Sequence, residues 1–146
     1  MERAFRKLIM IESSKEFCRL RYSDDMEDQN RATYEEISEL VLLEIIEKHP
    51  AEIRKWVAHN KKVPLHILRK LADDPDWSVR CTVARRNKID EDLCVYLSKD
   101  SDETVRRGIA ANKRTPVYLL EELSRDSIED IAEMAQRRLK ELKKES

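Results

Sequence analysis

The residues best equipped for nucleophilic, acid–base or metal chemistry are three histidines and three cysteines, and their spacing supports none of it. His49, His59 and His66 are joined by no carboxylate pair in a metal motif such as His-Glu-x-x-His. Cys18, Cys81 and Cys94 are odd in number and form no Cys-x-x-Cys, which argues against a disulfide framework or a zinc knuckle and for a reducing compartment. His59 and His66 flank a loop and read as surface imidazoles, while Cys81 and Cys94 read as small packing residues. No catalytic set, metal or cofactor is therefore expected. What remains is recognition chemistry, carried by Trp56, Trp77 and clusters of arginine and lysine.

The elements that position these residues are helices. The chain has 146 residues, room for one ordinary domain, with 40% charged, 40% apolar and 5% aromatic residues. Gly108 is the only glycine, which all but excludes a Gly-rich phosphate loop and a turn-rich β-sandwich or barrel. Glu, Lys, Arg, Leu and Ala dominate, so the class is all-α. The formal charge of −1 offers no global attraction for nucleic acid or an anionic membrane. The apolar run Leu8-Ile9-Met10-Ile11 is too short for a signal peptide or a membrane span, so a cytoplasmic protein without a membrane partner is expected.

Self-similarity at 26 residues sets the organisation. Ile53, Val79, Val105 and Ile131 share one column, and Val57, Val83, Ile109 and Ala135 another. A second set runs Val41, Ile67, Leu93, Leu119, with Ile45, Leu71, Leu97 and Leu123 four residues on. Spacing of this kind places the apolar residues on one stripe of a short helix. Each copy is thus an outer helix such as 64–73 followed by an inner helix such as 77–87. Pro64 and Pro116 suit first helical turns, Thr115 suits an N-cap, and Asp76 and Asp102 suit caps of inner helices. Asn60, Asn87 and Asn112 follow inner helices and suit a left-handed position. Such short helices are marginal alone and must bury their stripes against neighbouring copies.

The segments Val57-Ala58-His59-Asn60, Val63-Pro64, Ile67-Leu68, Leu71-Ala72-Asp73-Asp74 and Val79-Arg80 resemble the leucine-rich repeat variant, a short-period relative of HEAT and armadillo repeats. Ile109-Ala110-Ala111-Asn112, Thr115-Pro116 and Leu119-Leu120 resemble it again, and the likeness covers residues 41–135. It implies a right-handed α-solenoid of about four two-helix repeats with an N-terminal helical cap. It also implies a ladder in which an Asp pairs with an Arg six residues on. Asp74 with Arg80 and Asp100 with Arg106 have that spacing, whereas Lys48 before Arg54 and Asp126 before Ala132 break it at the ends. Some members carry an N-terminal cysteine cluster for iron–sulfur; Cys18 is alone there. The HEAT-like DNA glycosylases are a distant enzymatic likeness, with only Trp56 and Trp77 as candidate groove aromatics.

Residues 1–31 are expected to be a helical cap, using Phe5, Leu8, Ile9, Phe17 and Leu20, followed by an acidic loop over 23–31. Residues 32–146 carry the repeats, starting with an outer helix over 32–48. Along the inner helices a trough of small residues runs between Trp56 and Met134, with Lys55, His59, Thr82, Arg85 and Arg107 beside it. Trp and Arg are favoured hot-spot types, so the trough suits a protein partner. The competing reading packs Trp56 under the N-terminal helices. A basic edge of Lys61, Lys62, Arg86, Lys88, Lys113 and Arg114 follows the inner helices. Either helix dipoles account for it, or it meets an acidic protein or a phosphate backbone. The expected function is a non-enzymatic protein-binding module, of scaffold or immunity/antitoxin type; nucleic-acid binding along the basic edge is the alternative.

Overall fold

A computed structural model describes residues 10–146. These residues form ten helices and one pair of short strands: β1 (Met10–Ile11), α1 (Ser14–Tyr22), α2 (Met26–Tyr34), β2 (Glu36–Ile37), α3 (Glu39–Lys48), α4 (Ala51–His59), α5 (Leu65–Leu71), α6 (Trp77–Ala84), α7 (Glu91–Ser98), α8 (Glu103–Ala111), α9 (Val117–Leu123) and α10 (Glu129–Lys144). The described residues are all-α apart from that strand pair. Helices α3, α5, α7 and α9 begin at residues 39, 65, 91 and 117, and α4, α6, α8 and α10 at 51, 77, 103 and 129. Both series keep the 26-residue interval. Caps explain several of these starts: Asp76 accepts the Ser78 N–H and Asp102 the Thr104 N–H, each at 2.8 Å, while Asp90 accepts from Leu93 at 3.0 Å. Thr115 does not cap α9. Pro116 holds that place, and the Thr115 hydroxyl turns inward to donate to the Ile109 carbonyl at 2.6 Å.

The described residues fall into two compact units that divide between Ile67 and Leu68, inside α5. In the N-terminal unit the expected acidic loop over 23–31 is largely helix. Asp25 caps α2 by accepting from Glu27, and Glu27 and Asp28 occupy its electropositive first turn. The helix expected over 32–48 is consequently two elements, the end of α2 and then α3, with Ser38 as the new cap. Between them β2 pairs in parallel with β1, Ile11 opposite Ile37, and both isoleucines are buried. Phe17 and Leu20 of α1 are fully buried, as a covering helix requires. Phe5, Leu8 and Ile9 lie outside the described residues.

In the C-terminal unit α6 packs on α8 and α8 on α10, while α7 packs on α9, with α7–α8 and α9–α10 contacts joining the two rows. Val79, Val83, Val105, Ile109, Ile131, Leu97 and Leu120 are sealed between them. Gly108 sits where α8 approaches α6 most tightly. A Cβ there would lie 3.1 Å from the Ala84 Cβ and 3.5 Å from the Arg85 Cγ. Gly108→Leu is therefore expected to destabilise by about 1–3 kcal/mol through overpacking. Thermal melts check this, and an unchanged midpoint would show that the helices part freely.

Buried polar side chains stitch the ends of the helices together. The Asn60 carboxamide donates to the Ala32 and Glu35 carbonyls at 2.8 and 2.9 Å and accepts the Lys62 N–H at 2.8 Å. Asn112 repeats the arrangement on α6, donating to Ala84 and Arg86 at 2.7 and 2.8 Å and accepting from Arg114 at 2.8 Å. Arg138, 26 residues further, donates to the Ala110 and Asn112 carbonyls in the same manner. The left-handed conformation expected at the asparagines is absent: no described non-glycine residue has a positive φ, and Asn60 and Asn112 have φ of −60° and −74°. Their side chains, rather than a backbone reversal, satisfy the helix ends.

The Asp–Arg ladder also differs from its expected form. Arg80 grips the Asp100 carboxylate, twenty residues on, through Nε and Nη2 at 2.8 and 3.0 Å. From Asp74, six residues back, it takes only the main-chain carbonyl, at 2.8 Å. Arg106 does the same with the Asp126 carboxylate, at 2.8 and 3.1 Å, and the Asp100 carbonyl, at 2.9 Å. Asp126, expected as the broken end of the ladder, is thus its last acceptor. The reason is reach. An extended arginine on the first turn of one helix spans to the turn before the next, while its own turn lies too close for a two-pronged carboxylate contact.

Candidate binding site

The trough residues in the N-terminal unit are partly covered. The Arg21 guanidinium from the end of α1 lies over the Trp56 ring, 3.4 Å from its centroid, in cation–π geometry. The His59 ring stands 5.5 Å from Trp56, tilted by 41°. Arg21 loses solvent in this position, and burial pulls its guanidinium below the ordinary arginine range. Trp56 is therefore packed against an N-terminal helix, the competing arrangement read from sequence, while Lys55 remains half-buried and His59 exposed. Lys61 and Lys62 follow in an exposed loop of the same unit, their main-chain N–H groups donating to the Thr33 carbonyl and the Asn60 side chain.

In the C-terminal unit, residues from the trough and from the basic edge converge. Arg85 and Asn87 at the end of α6, Gly108 and Ala111 on α8, and Lys113 and Arg114 in the loop after it line one open hollow of about 390 Å³. The arrangement follows from the helix ends. Arg85 is the C-cap residue of α6, and the bonds of Asn112 to Ala84 and Arg86 hold the α8 loop against it. Arg114 steadies the rim by donating from Nε to the Asn87 carbonyl at 3.0 Å. The side chains of Arg85 and Lys113 have no hydrogen bond or ion pair among the described residues, and none of the three cations meets a carboxylate there. Gly108 and Ala111 form a floor without bulk.

The remaining candidates stand apart from the hollow. Arg107 is half-buried on α8 and faces Asp130 at 3.6 Å, so its charge is partly spent. Thr82 back-bonds to the Ser78 carbonyl at 2.8 Å. Met134 is half-buried on α10, and Lys88 is exposed beyond α6. Arg86 is only 7% exposed, and burial lowers its proton affinity; it is an interior residue, not a member of the exposed edge. The signal for this was available, since Arg86 lies 26 residues after Asn60 and 26 before Asn112, in the column of carbonyl-binding side chains.

A larger hollow of about 730 Å³ lies beside α7, lined by Asp73, Asp92, Tyr96, Lys99 and Asp100 among others. Its charges are mostly matched. Tyr96 donates its hydroxyl to Asp73, Arg80 holds Asp100, and Arg69 reaches Asp92 at 3.9 Å. A similar contact on α9, Tyr118 to Glu91 at 2.5 Å, pushes the Tyr118 hydroxyl up to about 12, chiefly through that hydrogen bond. These tyrosine–carboxylate contacts had no distinct sequence signal, because their separations differ from one another. Among the described residues no group of three or more His, Cys, Asp or Glu is placed to hold a metal ion, and no helix is long and apolar enough to cross a membrane.

No protein-family model matches the chain, and no curated protein or solved structure is significantly similar to it.

Proposed function

We propose that this chain is a non-enzymatic protein-binding module, a right-handed α-solenoid of about four two-helix repeats that resembles the leucine-rich repeat variant and HEAT families. Its working surface is the even-helix face of the C-terminal copies. The identical intervals between helix starts support the repeat reading, as does the recurrence of the Asn/Arg carbonyl clamps and Arg–Asp bridges at 26-residue steps. The observation that carries the function is the cluster of Arg85, Lys113 and Arg114 around an open hollow, with no carboxylate among the described residues paired to it. Arginine at the rim of a small-residue depression is a favoured anchor for a protein partner. A small module of this kind suits covering another protein's surface, which is how a scaffold or an immunity/antitoxin-type protein works.

The competing reading assigns the same cations to a nucleic-acid backbone. Affinity capture on the immobilised chain from source lysate, with and without nuclease, separates the two. Retention of a stoichiometric protein after nuclease is expected. Material lost on nuclease treatment, with affinity falling steeply as salt rises, would mark phosphate-backbone binding instead.

A further inference from the structure

We infer that the hollow between α6 and α8 is a receptor for a carboxylate side chain, so that the partner presents an acidic segment to Arg85, Lys113 and Arg114. The inference rests on the protein-binding reading and names the chemistry of its partner. Basic residues at helix C-termini ordinarily answer the partial negative charge of free carbonyls. Here that demand is largely met by other groups. Asn112 takes the Ala84 and Arg86 carbonyls at the end of α6, and Arg138 takes those of Ala110 and Asn112 at the end of α8. Arg85 and Lys113 are therefore surplus to the helix ends, while three arginines elsewhere in this unit each hold a carboxylate of the chain, in Arg80–Asp100, Arg106–Asp126 and Arg69–Asp90.

The surroundings select a single anionic side chain over a continuous polyanion. On the neighbouring α10, Asp130 and Glu133 are exposed, and Asp130 already draws on Arg107. A phosphodiester strand continued onto α10 would be repelled by these carboxylates as well as attracted by the exposed Arg137, whereas one carboxylate confined to the hollow depends on neither. No aromatic ring lines the hollow, so a base would find nothing to stack on. Gly108 and Ala111 leave the floor open, which lets a carboxylate approach the Arg85 fork closely enough for charge-assisted hydrogen bonds.

The test is fluorescence anisotropy with the full chain and a fluorescein-labelled hexaglutamate peptide, alongside an oligothymidylate of matching length and inorganic phosphate as competitor. Arg85→Glu with Lys113→Glu is expected to weaken peptide binding by about tenfold or more. Lys61→Glu with Lys62→Glu makes the same change in net charge outside the hollow and is expected to alter it by less than about twofold. The neutral pair Arg85→Ala with Lys113→Ala, on exposed positions, repeats the measurement should the reversal disturb folding, and circular dichroism monitors the helices. Equal losses in both charge-reversal pairs, absence of saturable peptide binding, tighter binding of the oligothymidylate, or full displacement by phosphate at equal concentration would each overturn the carboxylate assignment. The protein-binding reading would survive that failure, because it stands or falls on nuclease-resistant capture.

Discussion

Replacing Asn112 with leucine is expected to cost about 3 kcal/mol of folding stability, although the two side chains are nearly the same size. Asn112 is 6% exposed, and its side chain makes three hydrogen bonds, two as donor to the Ala84 and Arg86 carbonyls and one as acceptor from the Arg114 N–H. Leucine leaves all three backbone groups without a partner in a site that water reaches poorly. Each stranded group carries a desolvation cost of about 1–3 kcal/mol, offset in part by the better burial of an apolar side chain. For a chain of this size the loss corresponds to a melting midpoint lower by about 10 °C. Asn87 is the control, since it is exposed and only its carbonyl is used, by Arg114. Asn87→Leu should stay within about 0.5 kcal/mol of the parent. Urea titrations with unchanged slope would measure both. Equal, small effects would mean that α6 and α8 are joined without the clamp.

Arg80→Asp has the second large effect, a loss of about 3 kcal/mol, toward the lower end for breaking a buried ion pair. The substitution removes both hydrogen bonds to Asp100, whose side chain is 8% exposed, and sets a like charge near it. The pair also links stability to pH. Burial pushes the Asp100 carboxyl up, but the Arg80 hydrogen bond, the Asp102 N–H and the positive charges of Arg80 and Arg106 outweigh it and hold it below its ordinary value. The hydrogen bond from Arg106 does the same for Asp126, against opposing burial. A carboxyl whose folded proton affinity is depressed contributes stability above its unfolded value, near 4, and loses it as pH falls through the lower folded value. The parent should therefore lose stability on acidification below about pH 4. Arg80→Leu should lose less over the same range, because Asp100 is no longer held ionised by a partner. Parallel curves for the two proteins would remove the bridge from the account.

The columns of apolar residues carried most of the helix layout. Val57, Val83, Ile109 and Ala135 share a sequence column and are all fully buried, because a one-sided stripe at helical spacing can be satisfied in few other ways. Helix α2 was not legible, since Ala32 is its only buried residue and its start is marked by acids that read equally well as a solvated loop. Helix α6 stops at Ala84, three residues before the expected end, because Arg86 turns inward. The family resemblance marked Arg80 and Arg106 as bridging residues but paired each with the Asp six residues back, which supplies a carbonyl, while the carboxylate comes from the Asp twenty residues on. The hollow was divided between two patterns, a trough on the inner helices and an edge in the loops after them. They meet because Arg85 directly follows α6, Lys113 and Arg114 follow α8 by two and three positions, and Asn112 draws the α8 loop onto the end of α6. Trp56 kept its place on α4, yet Arg21, 35 positions earlier in the chain, supplies the group that covers it.

The most direct test of the central claim places a photoreactive benzoylphenylalanine at Ala111, on the exposed floor of the hollow, and a second at Val117, exposed on α9. Both chains are irradiated in source cells, and the adducts are treated with nuclease before analysis. A discrete protein adduct from position 111 that resists nuclease, with none from position 117, is the result expected of a protein-binding face at α6 and α8. A protein adduct from position 117 alone, or adducts from 111 that nuclease removes, would contradict it.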